Sequence, residues 1–149
     1  MNTMFQDVAE FHAKFDLPVA EIEGGTQPCA LPSKELIQYR VNFLREELTE
    51  LVEACDRGDI VEAADAIADL VWVACGTAHY MGIPLDQVWH EVRRSNMEKR
   101  AWQEGDPIKP RAAHLTSMGP EIVKPAGWRP PDVVGVLKSV QAIMDGAHL

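Results

Sequence analysis

Apolar residues recur three and four positions apart in five stretches of the chain, a spacing that predicts helices. In residues 3–15, Phe5, Val8, Phe11 and Phe15 fall near helical spacing. Ser33 reads as an N-cap. A second helix then runs to about Arg57, with Ile37, Val41, Leu44, Leu48, Leu51 and Cys55 as one apolar stripe. Gly58 suits the C′ position that ends this helix, and Asp59 the N-cap of the next. A third helix is expected from Ile60 to about Tyr80. Met81-Gly82-Ile83-Pro84 breaks the pattern, and Pro84 opens a fourth helix over about Leu85 to Ala101. Leu85, Val88, Trp89, Val92 and Asn96 line one side of it. Val133, Val136, Leu137, Val140 and Ile143 mark a short last helix. Residues 17–32, rich in Pro and Gly, read as a linker. Residues 102–131 read as loop with two Gly-containing turns, where Pro130 and Pro131 forbid a helix. The fold class is therefore all-α, in one domain. Residues 1–32 form its N-terminal helix and linker, 33–101 its central helices, and 102–149 its loop and C-terminal helix.

Polar positions change this picture at the junction of the second and third helices. Glu46-Glu47-x-x-Glu50 lies before Gly58, and Glu62-x-x-Asp65-x-x-x-Asp69 after it. Residues three or four apart share a helix face, so each cluster is gathered on one side. At about 100° per residue, Glu47 lies roughly 80° from the centre of the apolar stripe and Glu50 about 140°. Glu47 thus borders the core beside Phe43 and Ala54, while Glu46 and Glu53 point away. The plain alternative is a solvated acidic face. Glu62 has its own alternative, because Asp59-x-x-Glu62 is close to a capping box and its carboxylate could bond the helix start.

The third helix carries the sharper argument. From Ala66 to Ala78 it reads AIADLVWVACGTA, with Asp69 as the one charge. Apolar residues all round predict burial on most sides. An ionised carboxylate there is costly unless paired or bound to metal. Glu62, Asp65 and Asp69 share a face that continues as Trp72, Val73 and Gly76, so the acids are expected to point at another element. Small residues, six alanines and a glycine between 63 and 78, would let that element approach closely.

Composition narrows the partners. The 149 residues are 46% hydrophobic and 25% charged, which is globular usage. A net charge of −9 argues against nucleic acid or an anionic membrane, both of which reward a basic surface. No basic-then-apolar leader and no bilayer-length apolar run are present. Cys29, Cys55 and Cys75 form no CxxC pair, which fits reduced thiols and a cytoplasmic location. The five histidines are scattered, and packing or a place on the surface is their expected role.

Facing carboxylates on two helices make a negative pocket that suits Mg2+, a cation of oxygen ligands, with Mn2+ as its substitute. Metal ions about 4 Å apart can hold a phosphate chain and acidify an attacking water. A spare carboxylate, Glu46 the nearest, could take the proton. Di-iron bundles use Glu-x-x-His pairs, and neither acidic helix has one. The run RRSNMEKR supplies the densest positive charge, in Arg93, Arg94, Lys99 and Arg100. Asn96 and Lys99 share a face, suited to a phosphorylated compound with a polar ring. The alternative for the arginines is a match to the helix dipole.

Glu46-Glu47-x-x-Glu50 and the acidic cluster ending at Asp69 before Leu-Val-Trp resemble the MazG-like, all-α nucleoside triphosphate pyrophosphohydrolases. That superfamily includes dimeric dUTPases and phosphoribosyl-ATP pyrophosphohydrolase. ADLVWVACGTA, GIPLDQVWHEVRRSNMEK, VKPAGWRPPDVVGVL and the early AEFH look like its dUTPase-like branch. The resemblance implies an antiparallel four-helix-bundle core and a homodimer or higher homo-oligomer. It implies magnesium-dependent cleavage between the α- and β-phosphates of a nucleoside triphosphate, with a pyrimidine deoxynucleotide such as dUTP as the substrate it favours. Glu47, Glu50 and Asp69 would ligate metal, with Glu46 a ligand or water-orienting base. Asn96 would contact base or sugar, Lys99 a phosphate, and Arg93 would assist in substrate binding. The family's second motif is ExxD, and here it departs. Glu62-x-x-Asp65 fits the letters, whereas Asp69 fits the apolar run but has Ala66 in place of the Glu. The preferred register is Asp69 with help from Glu62 and Asp65. The alternative function is a non-catalytic nucleotide-sensing or helical assembly module.

Overall fold

The computed structural model describes residues 1–17, 21–22, 25–26, 29–106 and 121–146. Among the described residues there are five helices: α1 (Met4–Lys14), α2 (Lys34–Arg57), α3 (Ile60–Tyr80), α4 (Leu85–Met97) and α5 (Val133–Gly146). Two antiparallel ladders of two residues each accompany them. β1 (Glu21–Ile22) pairs with β2 (Gly25–Thr26), and β3 (Arg100–Ala101) with β4 (Ile122–Val123). The chain is all-α, as its periodicity predicts. It gathers into two compact units, residues 1–86 with 134–149, and residues 87–133.

The first unit is built on α2 and α3. Ser33 caps α2 by accepting from the backbone N–H of Leu36. Gly58 ends it with φ 69°, a left-handed conformation that a Cβ would penalise. Asp59 then caps α3, its Oδ1 accepting from Val61 and Glu62 N–H at 3.1 and 3.2 Å. So short a turn folds the two helices back on each other. Arg40 reaches Val73 and Thr77, and Ala54 is fully buried near the turn, as an antiparallel pair requires. Close approach is possible because the buried positions of α3 include Ala63, Ala66, Gly76 and Ala78. α1, held by a Thr3–Gln6 capping box, lies antiparallel to α3. Phe5 stacks on His79 at 3.9 Å, and Phe11 meets Trp72 edge-on at 5.4 Å.

Several expected faces are rotated. In α1 the buried residues are Val8 and His12, while Phe11 and Phe15 stay exposed. Helical spacing fits both sets, and packing against Gly76 selects the narrower one. In α2 the buried residues are Arg40 and Ala54, with Leu48 and Cys55 exposed. Burial on most sides of α3 is also corrected: Ile67, Val71 and Trp72 are exposed, as are Asp65 and Asp69. The apolar surround is real in sequence, but within this chain neighbours cover only part of it.

In the second unit α4 stops at Met97 rather than Ala101, because Arg100 and Ala101 pair with Val123 and Ile122. A ladder of two residues is too short to leave an alternating pattern. Trp89, expected on the lined side, is exposed. The linker and loop readings fall partly outside the described residues, at 18–20, 23–24, 27–28 and 107–120. The side chain of Ile143 also lies outside them.

Candidate functional site

On α2 the residues facing α3 recur at sevens: Arg40, Glu47, Ala54. Glu47 therefore stands in the middle of the seam, flanked by residues that are 8% and 0% exposed. It is half-buried, whereas Glu46 and Glu50 are exposed. Its carboxyl pKa is raised, first by burial and then by the negative charges of Glu50, Asp69, Glu46 and Asp65. Every charge acting on it is an acid. Four carboxylates from two helices thus act on Glu47, and Glu46, expected to point away, is one of them. Glu62 is exposed and is not among those charges. Nor is it used in a capping box: the Asp59 N–H donates to Ala54 O instead.

All five side chains offer carboxylate oxygen, the donor that hard divalent cations prefer. A cation would also offset the negative charges that, after burial, raise the Glu47 carboxyl. The donor set therefore fits Mg2+. Among the described residues no group of three or more His, Cys, Asp or Glu side chains already stands poised to hold a metal ion.

A polar cluster that periodicity misses lies on the same seam. Arg40 donates from Nε to Thr77 Oγ1 at 3.2 Å and from Nη2 to Val73 O at 2.9 Å. Its guanidinium lies over the Tyr80 and Phe43 rings at 5.2 and 5.5 Å. Burial lowers its pKa. His12 is 7% exposed, 5.1 Å from the His79 ring and 5.0 Å from Tyr80. Burial and the nearby His79 and Arg40 pull its pKa down, so it packs neutral. Gly76 makes room: a Cβ there would meet Arg40 Nη2 at 3.1 Å and His12 Nε2 at 3.2 Å. One signal was available, since Arg40 precedes Glu47 by two heptad-spaced turns and Gly76 interrupts an otherwise strong helix.

In the second unit Lys99 donates from Nζ to Asn96 Oδ1 at 2.7 Å, so the two predicted substrate-binding residues do meet. Arg93 is exposed. Arg94 is taken up by Glu91 and Glu98, at 3.0 and 2.8 Å, and by Pro130 O. Its role is to tie the end of α4 to the following loop.

The all-α fold and the family match together place the chain among the MazG-like nucleotide pyrophosphohydrolases. Residues 8–96, more than half of the chain, match the phosphoribosyl-ATP pyrophosphohydrolase family, and the chain belongs to it. It is also similar to an uncharacterized protein of Acanthamoeba polyphaga mimivirus, 29% identical over 97 residues. The similarity covers 65% of this chain and 37% of the viral protein, so the chain matches little more than a third of that relative's length. Among the described residues no helix is long and apolar enough to cross a membrane.

Proposed function

We propose that the chain is a magnesium-dependent nucleoside triphosphate pyrophosphohydrolase that releases pyrophosphate and a nucleoside monophosphate. The observation carrying this reading is Glu47, half-buried on the α2–α3 seam, with its carboxyl raised first by burial and then by four acids from both helices. Membership of the pyrophosphohydrolase family supports the same chemistry. Glu47, Glu50 and Asp69 are the residues that would hold Mg2+ or Mn2+, with Asp65 one turn away on the face of Asp69. Glu62 would contribute only from the rim. Bound there, the cation supplies charge neutralisation for the phosphates and a more acidic water. Glu46, exposed beside this group, would orient the attacking water and accept its proton. Asn96, Lys99 and Arg93 bind the nucleotide. A pyrimidine deoxynucleotide, dUTP among them, is the proposed substrate, and removal of unwanted nucleotides in the cytoplasm the proposed role.

We also propose that the protein works as a homodimer or higher homo-oligomer. Support comes from the exposed Leu48, Val52, Ile67, Val71 and Trp72, apolar residues on both acidic helices. Light scattering at micromolar concentration tests this, and a monomeric mass refutes it.

Pyrophosphate release from a panel of ribo- and deoxynucleoside triphosphates and phosphoribosyl-ATP, with Mg2+, tests the activity. The expected outcome is monophosphate and pyrophosphate from at least one member. Tight binding without release from any member would favour the nucleotide-sensing module instead. Glu62→Gln, Asp65→Asn and Asp69→Asn, assayed singly, test the register of the second motif. Full turnover in Asp69→Asn removes the preferred one.

A further inference from the structure

The chain that follows β4 makes a tight turn over Pro125-Ala126-Gly127-Trp128. Trp128 N–H donates to Pro125 O at 3.0 Å, and Gly127 has φ 79°, which a turn of this kind reserves for glycine. The turn brings Lys124 and Trp128 together. The indole N–H donates to Ser95 O at 2.7 Å, and Ser95 is only 2% exposed, so the ring is fixed beside the end of α4. Two ammonium groups lie against it. Lys124 Nζ is 4.0 Å from the ring centroid and Lys99 Nζ is 6.0 Å. An indole attracts cations through its quadrupole, which lets two positive groups gather despite their repulsion.

The other cations that pair in this unit are already committed. Arg94 is held by Glu91 and Glu98, and Arg100 by Asp106 at 2.6 Å. Among the described residues neither Lys99 nor Lys124 has a carboxylate at ion-pair distance. Lys99 donates to the Asn96 side-chain oxygen, and the amide NH2 of Asn96 is a further donor. Two ammonium groups without a carboxylate partner and an amide donor around one fixed ring are what an anion with several oxygens needs. Lysine suits phosphate as a mobile point charge.

We propose that Lys124 is a second phosphate-binding lysine, working with Lys99 and Asn96 on the phosphate chain of a nucleoside triphosphate. Trp128 is the positioning residue that holds it there. The identity of the ligand rests on the pyrophosphohydrolase reading, whereas the site itself rests on the groups around Trp128.

The test is calorimetric titration of the full chain with inorganic tripolyphosphate in EDTA, so that metal-bound acids play no part. Wild type is expected to bind, more weakly as salt is raised. Lys124→Met should weaken binding about tenfold, the order of one charge-assisted hydrogen bond. Lys124→Arg should stay within about threefold of wild type, and Lys138→Met, an exposed lysine of α5, should match it. Trp128→Leu should lose binding as Lys124→Met does, while Trp128→Phe, which keeps a ring, should lose less. In turnover, Lys124→Met should raise KM more than it lowers kcat. No tripolyphosphate binding by wild type, or equal binding by a folded Lys124→Met, overturns the proposal. Turnover that is normal and indifferent to Lys124→Met overturns it while leaving the pyrophosphohydrolase reading intact. An inactive wild type whose tripolyphosphate binding still depends on Lys124 supports the proposal and removes that reading instead.

Discussion

Glu47→Gln should stabilise the metal-free protein while abolishing its activity. Glu47 has Glu50 as a like-charged neighbour at i+3, with Glu46 beside it and Asp65 and Asp69 acting from α3. A like-charge pair on one helix costs about 0.2–0.5 kcal/mol, and screened contacts across helices are of similar size. Removing them all is worth about 1 kcal/mol, or a rise of about 3 °C in Tm for a chain of this length. Glutamine keeps the volume, so packing on the seam is preserved. The folded-state pKa of Glu47 lies above its unfolded value. The stability tied to its protonation is therefore complete below the ordinary carboxylate range and is lost as pH rises through the raised value. The advantage of the variant should thus be full at neutral pH and vanish on acidification below that range. Added Mg2+ should raise the Tm of wild type and not of the variant. Thermal unfolding in EDTA, across pH and then with Mg2+, checks each part. A Tm for Glu47→Gln equal to or below wild type at neutral pH in EDTA would refute the shared acidic field.

Other substitutions probe the frame around the site. Gly76→Ala gains about 1 kcal/mol of helix propensity but must displace the anchored Arg40 and His12, at an overpacking cost of about 1–3 kcal/mol. A small net loss is expected in denaturant titration, and stabilisation would show that both neighbours move aside. Asp59→Ala removes the cap of α3 and should cost about 1 kcal/mol, read the same way. In the second unit the Arg100 side chain holds the Asp106 carboxyl down to about 2. Its contribution is present above the ordinary value of 3.8 and is lost as pH falls through about 2. Arg100→Met should therefore speed amide exchange at Trp102 at neutral pH, a difference that disappears in strong acid.

Long-period features were the most legible in the sequence. Gly58 and Asp59 marked the α2–α3 turn because a left-handed stop and a cap each require particular residue types. Spacing brought Glu47, Glu50, Asp65 and Asp69 toward one another, but it turned Glu46 away and counted Glu62 in, whereas Glu46 acts on Glu47 and Glu62 does not. Which face packs was less legible. Periodicity weights residues by hydrophobicity, so it placed Leu48 and Cys55 inside and overlooked Arg40, which buries by stacking on Tyr80 and bonding to the backbone of α3. For the same reason Phe15 was favoured for the packed face of α1, where His12 is buried instead. The β3–β4 pairing and the meeting of Lys124 with Trp128 depend on contacts between distant segments, on which local pattern is silent.

Manganese binding, followed by loss of the free-ion EPR signal in the presence of a non-hydrolysable nucleoside triphosphate, tests the central claim most directly. The acids of α2 and α3 should act as one site. Wild type should sequester Mn2+, and Glu50→Gln and Asp69→Asn, one from each helix, should each weaken binding at least about tenfold. Undiminished binding in a folded Asp69→Asn, or no binding by wild type, would contradict it.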